Sequence, residues 1–174
     1  GSTKEKIVFV LEKNFSNFAG GHPLAGSEKR GIRNADARIF KNSLCILTPT
    51  RKTKKKVLDT LKKFWEKLGA RTITLTPQTH DKVLSFTSHL PHLLAFSLMA
   101  AVPKKFLLYS GQALKDTRRI AASDPVLWSD IFLSNRDNIL SSLKSFKESL
   151  SKLEEAIRKN DKNSLMAFLN DYRC

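Results

Sequence analysis

One histidine in this chain sits where its neighbours equip it for chemistry. In Gly20-Gly21-His22-Pro23-Leu24-Ala25-Gly26-Ser27-Glu28 a glycine pair precedes the imidazole and an acidic residue follows six positions on. Glycine permits φ > 0 and a close backbone approach to a ligand, and Pro23 fixes φ in the turn that aims the ring. An imidazole held in this way is suited to proton transfer near neutral pH. The plainer reading is a Gly/Pro-rich loop that carries a histidine incidentally. Glu28 reads either as a group that orients His22 or as an exposed loop acid.

Other side chains could join it. His80, His89 and His92 fall within one stretch, and His89-x-x-His92 has a spacing that metal sites use. A metal would need two further ligands, and no cysteine or acidic cluster is at hand, so none is expected. The remaining readings are a structural role beside the kink at Pro91 and a lining role in a substrate pocket, His92 first and His80 next. Arg118-Arg119, taken alone, is a surface pair, although a guanidinium also binds carboxylates through a bidentate fork. Trp128 is placed beside the pocket or in the core, where its indole N–H needs a partner.

The elements that must position these residues form two regimes. Up to about Leu75 helix and strand alternate. Ile7, Val10 and Leu11 mark a helix face, Phe18-Ala19-Gly20 a short strand running into the His22 loop, and Ser43–Thr48 a buried strand stopped by Pro49. Val57, Leu58, Leu61, Phe64, Trp65 and Leu68 recur at helical spacing, Gly69 ends that helix, and Thr72–Leu75 is β-branched. Strand, helix and strand in this order predict a parallel crossover, half of a doubly wound sheet. From Thr76-Pro77 onward the pattern is helical, with a cap and a first-turn proline. The stripe from Ile131/Phe132 through Asn135 to Ile157 predicts one helix from Pro125 to Arg158, roughly 50 Å long. Such a helix outruns what a small helical domain can cover and predicts a homodimer in which the long helices pack together. Asp161–Tyr172 closes the chain as an amphipathic helix.

The His22 segment resembles the catalytic-histidine segment of prephenate and arogenate dehydrogenases. Three further segments match in order: Thr79-His80-Asp81, Ser88-His89-Leu90-Pro91-His92, and Arg119-Ile120-Ala121-Ala122-Ser123-Asp124-Pro125-Val126-Leu127-Trp128. The resemblance covers nearly all of the chain. It implies an α/β half-sheet, the second half of a Rossmann-like dinucleotide-binding domain, over residues 1–76, followed by an all-α helical substrate-binding and dimerisation domain over 77–174. No G-x-G-x-x-G fingerprint is present, so the chain reads as the C-terminal portion of such an enzyme. It is then expected to be inactive without the rest of the cofactor-binding half.

By that resemblance the activity is oxidative decarboxylation of prephenate to 4-hydroxyphenylpyruvate with NAD or NADP, in tyrosine biosynthesis. His22 would be the catalytic base, and Ser2 would hydrogen-bond the same ring hydroxyl. Gly1-Ser2-Thr3-Lys4 fits the family's Gly-Ser-x-Lys, although Gly-Ser is also a common cloning remnant. Arg119 would clamp a substrate carboxylate, with His92, His80, Glu28 and Trp128 around the substrate and Gly21 and Pro23 on the cofactor side. Gln112 replaces a glycine of the family and would crowd the substrate, altering the preference between prephenate and arogenate. The alternatives are an arogenate dehydrogenase, or a helical regulatory module that binds aromatic amino acids.

Composition bounds these readings. The 174 residues are enough for a real core, and 41% hydrophobic content is ordinary for a globular chain. No continuous apolar run approaches the ~18–20 residues of a bilayer span. The two cysteines, Cys45 and Cys174, have no framework spacing, and with no signal peptide a reducing, cytoplasmic setting is expected. Thirty-one basic against sixteen acidic residues give +15, which raises nucleic-acid binding as a third class. The basic residues are scattered and lack interleaved exposed aromatics, so a solvated face is the expectation and no nucleic-acid partner.

Overall fold

The computed structural model describes residues 2–15, 17–26 and 36–172. The chain begins with helix α1 (Glu5–Asn14), then strand β1 (Gly20–Pro23), strand β2 (Leu44–Thr48), helix α2 (Lys55–Lys67) and strand β3 (Arg71–Thr74). The helical part follows as α3 (Pro77–Leu84), α4 (Leu90–Ala101), α5 (Gln112–Ala121), α6 (Pro125–Ser134), α7 (Arg136–Arg158) and α8 (Lys162–Asp171).

The strands make one sheet in the order β1-β2-β3, with β1 antiparallel and β3 parallel to β2. This is part of a Rossmann-like sheet, joined to an all-helical domain. The β2-α2-β3 unit is the expected parallel crossover. α2 lays Leu58, Leu61 and Trp65 over Cys45, Leu47 and Ala70 on one face of the sheet. Gly69 ends α2 with φ +83, a conformation that glycine takes without steric cost.

His22 lies on a strand, which corrects the expected loop. The Gly-Gly-His-Pro segment reads locally as a turn, yet its pairing with β2 draws it into the ladder, with Gly20 opposite Thr48 and His22 opposite Ile46. Successive strand residues face opposite sides. Gly21 therefore faces Leu47 and Trp65, whereas Gly20 and His22 face the side covered by α1 and α3. Space at Gly20 is tight: a Cβ there would lie 2.3 Å from Thr48 Oγ1 and 2.9 Å from Val8 Cγ2.

The helical part starts as expected. Thr76 accepts a hydrogen bond from the Thr79 backbone N–H, and Pro77 occupies the first turn. A π-helical turn, Ser85–His89, joins α3 to α4, so Pro77–Ala101 is one continuous helix. Pro91 stands in the first turn of α4, directly after this widened turn, where its missing N–H and ring bulk are accommodated, and the turn buries Ser85 and His89. This helix is long and apolar enough to cross a membrane, which the reading by apolar runs did not anticipate. Its buried residues include His80, Asp81, Ser85 and His89, a polar content suited to the centre of a folded domain.

The single long helix expected from Pro125 to Arg158 is two helices. The break is at Asn135, whose side chain turns inward to donate to the Asp81 carbonyl at 2.8 Å and to His89 Nδ1 at 3.0 Å. Asp124 caps α6 through the Val126 and Leu127 N–H groups, as its place before Pro125 implies. Leu133, Leu140, Leu150 and Ile157 of α6 and α7 remain exposed.

The packing at Gly20 predicts that Gly20→Ala destabilises the chain by about 1–3 kcal/mol, the usual cost of an inserted methyl in a filled core. Urea unfolding checks this: an unchanged midpoint would show that α1 can yield to the extra carbon.

Candidate active site

A cleft of about 690 Å³ opens where β1, the α3–α4 helix, α5 and α6 meet, a volume typical of small-molecule sites. Ser2, His22, Pro23, His92, Arg119 and Trp128 all line it, so residues picked out from distant points of the sequence converge on one space. His80 does not line it but stands behind His22, fully buried. Gly21 faces the other side of the sheet. Gln112 is exposed on α5 and donates to Asp116 at 3.2 Å, outside the lining. Glu28 lies outside the described residues. Leu84, Thr87, Ser88, Ile120 and Ser123 complete the helical wall and were not anticipated. Leu84 and Thr87 carry no sequence signal for a pocket, whereas Ser88, Ile120 and Ser123 lie inside the segments quoted above without a role of their own.

The back of the cleft is a chain of hydrogen bonds. His22 Nδ1 is 2.8 Å from His80 Nε2, and His80 Nδ1 is 2.7 Å from Asp81 Oδ1. Asp81 also accepts from the backbone N–H groups of Lys4 at 2.7 Å and Glu5 at 2.9 Å, which anchors the start of α1 two residues after Ser2. Burial by itself would raise the Asp81 carboxyl. The hydrogen bonds from His80 and from the Glu5 and Lys4 backbone outweigh it and hold the group below the usual carboxylate range. Asp81 is the member of this chain that sequence reading left unassigned, although it sits in the Thr-His-Asp segment.

Burial lowers the His22 pKa to about 3, with further contributions from Lys4, His80 and His89. His89 falls to about 4, mainly through burial; Asp81 opposes the shift and His80 and His92 add to it. Burial lowers His92 as well, against the pull of the Ser88 carbonyl. These three rings are therefore uncharged at pH 7, and an uncharged ring can accept a hydrogen bond. The ring of His92 stacks on Trp128, with centroids 3.6 Å apart and planes at 18°. His92 Nδ1–H donates to the Ser88 carbonyl at 2.9 Å, which leaves Nε2 as the acceptor. Among the described residues that line the cleft, Arg119, in the last turn of α5, is the one cation, and none is a carboxylate.

This arrangement offers one fixed positive charge, a flat aromatic wall and a neutral imidazole. It can hold a planar or cyclic carboxylate and accept a proton from it. Among the described residues no group of His, Cys, Asp and Glu could hold a metal ion.

The comparisons with known proteins agree with the fold. Residues 1–74 match the nucleotide-binding domain of prephenate dehydrogenase and residues 76–171 match its dimerization domain. The architecture is thus that of a two-domain dehydrogenase, with part of the nucleotide-binding domain present. The chain belongs to the prephenate dehydrogenase family. It is 34% identical over 185 residues to prephenate dehydrogenase of Bacillus subtilis, covering 99% of this chain and 50% of that protein. It is 36% identical over 175 residues to cyclohexadienyl dehydrogenase of Zymomonas mobilis, covering 95% of this chain and 60% of that protein. The chain thus spans between half and three fifths of these relatives. A crystal structure of A. aeolicus prephenate dehydrogenase with hydroxyphenyl propionate and NAD+ superposes with a TM-score of 0.91 at 38% identity, over 98% of this chain and 62% of that one. Synechocystis arogenate dehydrogenase superposes at 0.87 with 28% identity, over 98% and 64%.

The depressed histidines make stability depend on pH. Between about 3–4, where folded His22 and His89 titrate, and the ordinary value of 6.5, the unfolded chain binds protons that the folded chain refuses. Stability from this source is full above pH 6.5 and declines as the pH falls towards 4. The urea midpoint is expected to be lower at pH 5 than at pH 7.5; equal midpoints would contradict the burial of these rings.

Proposed function

We propose that this chain carries the substrate-recognising and proton-accepting portion of a prephenate dehydrogenase, which converts prephenate to 4-hydroxyphenylpyruvate with loss of CO₂. The observation that carries this reading is the convergence of Ser2, neutral His22 and cationic Arg119 on one cleft.

Arg119 holds a substrate carboxylate through its guanidinium fork. Trp128, stacked on His92, gives the six-membered ring a flat wall. His22 accepts a hydrogen bond from the ring hydroxyl, and Ser2 binds the same oxygen. As the hydroxyl-bearing carbon loses its hydrogen with both bonding electrons, the O–H proton passes to His22 and the oxygen becomes a carbonyl. That carbonyl draws in the electrons of the ring C–CO₂ bond, CO₂ leaves, and the phenolate oxygen of the product takes a proton. NAD+ or NADP+, when bound, supplies the hydride acceptor. The fit to this group is partial. Pro23, Leu24, Ala25 and Gly26 form an uncharged wall beside His22, and the space at Gly26 is open, with nothing within 4 Å of a Cβ placed there. That wall suits a nicotinamide ring, but no glycine-rich turn in this chain offers a pyrophosphate cradle.

Arogenate is the second reading, and one observation favours it: the free Nε2 lone pair of His92 can accept from an ammonium group. The assembly that goes with either substrate is a homodimer through the helical domain, whose exposed Leu133, Leu140, Leu150 and Ile157 would be covered by the second copy.

Calorimetric titration of prephenate and of 4-hydroxyphenylpyruvate into the chain tests the reading. Both are expected to bind, and Arg119→Ala is expected to weaken binding by about 10–100-fold, the worth of a charge-assisted hydrogen bond. Binding indifferent to Arg119 would remove the cleft as the substrate site.

A further inference from the structure

We propose that His22 does not keep the proton it accepts: His80, backed by the Asp81 carboxylate, fixes the tautomer of His22 and receives the proton in its place. This rests on the reading of His22 as the proton acceptor. A carboxylate can only accept, so the 2.7 Å contact puts the Nδ1 proton of His80 towards Asp81. In neutral His80 the other nitrogen, Nε2, is then a lone pair. It lies 2.8 Å from His22 Nδ1, so His22 must carry its proton on Nδ1. The lone pair of His22 is thereby left on Nε2, the ring nitrogen not engaged with His80. One buried carboxylate sets the protonation pattern of two imidazoles in series.

The same geometry directs the proton. When a bond forms between Nε2 of His22 and an incoming proton, the Nδ1–H bond can break and its proton can pass to His80 Nε2. His22 ends neutral with its proton on Nε2, and the positive charge resides on His80 against Asp81. No oxidant or further reactant is involved. This answers a difficulty in the site, because burial and the nearby Lys4 make a positive charge on His22 unfavourable. His80, in contrast, is in direct contact with a carboxylate. Among the described residues, the other titratable groups acting on this pair are Lys4 at the start of α1 and His89 on the π turn, and neither is an acid that would hold the charge on His22. His80 and Asp81 are positioning residues here, acting on the substrate only through His22.

Nitrogen NMR of the imidazoles tests this, since the sequence has only four histidines. At pH 8 the unaltered chain is expected to show His22 and His80 both protonated on Nδ1 and bare on Nε2. The opposite tautomer of His22 would overturn the proposal. On acid titration within the folded range, His80 is expected to become the cation while His22 stays neutral and its proton shifts to Nε2. An imidazolium at His22 beside neutral His80 would overturn it. In Asp81→Leu, which offers His80 no acceptor, the proton of His80 is no longer fixed on Nδ1, so both rings are expected to become mixtures of tautomers. His80→Phe, which keeps a ring but no nitrogen, is expected to leave His22 as a mixture of tautomers. A folded variant of either kind in which His22 remains purely Nδ1-protonated would contradict the account. If neither variant folds, the unaltered chain decides. Loss of prephenate binding with the tautomers as expected would count against the substrate reading alone.

Discussion

The Asp81 carboxylate is the constraint on which the site depends. It is buried, and it stays ionised because three N–H donors converge on it: two from the backbone at the start of α1 and one from His80. An ionised carboxylate out of water is costly unless its lone pairs are filled, so the groups that fill them are held in place in return. Ser2 lies just ahead of Lys4, and His22 lies on the far side of His80. One charge therefore positions both a hydroxyl and an imidazole at the cleft. The backbone carbonyl of the same residue accepts from Asn135, which ties the break between α6 and α7 to the same point.

Around that charge the rings of His22, His89 and His92 are neutral, and Arg119 is the one cation among the described lining residues. The net charge of +15 has little part in this. The densest basic run, Arg51–Lys56, lies at the start of α2, where Lys54 makes no capping hydrogen bond and the helix dipole disfavours it. In the proposed reading, recognition inside the cleft depends instead on Arg119, on the stacked pair of His92 and Trp128, and on donors and acceptors with fixed directions.

Much of this was legible in the sequence where local chemistry decides the outcome. The α2 stripe with Gly69 behind it, the Thr76-Pro77 start of α3 and the Asp124-Pro125 start of α6 all appear as read, because caps and periodicity act within a few residues. The cleft residues Ser2, His22, His92, Arg119 and Trp128 were found through the ordered motifs of the family. What escaped was set by distant partners. The hydrophobic spacing runs through Asn135 without interruption, and the helix breaks where its side chain meets Asp81 and His89. Gly20–Pro23 has the composition of a turn, and pairing with β2 makes it a strand. His80 and His92 look alike as histidines on one long helix; packing alone puts one behind the sheet strand and the other in the cleft.

The central claim, that this cleft recognises the aromatic product and its precursor, has a direct measurement in the two tryptophans. Trp128 lines the cleft on His92, whereas Trp65 packs against the opposite face of the sheet. Titrating 4-hydroxyphenylpyruvate into the nitrogen-labelled chain should move the Trp128 indole N–H signal and leave that of Trp65 in place. Saturable binding that moves only Trp65, or neither indole, would contradict the account.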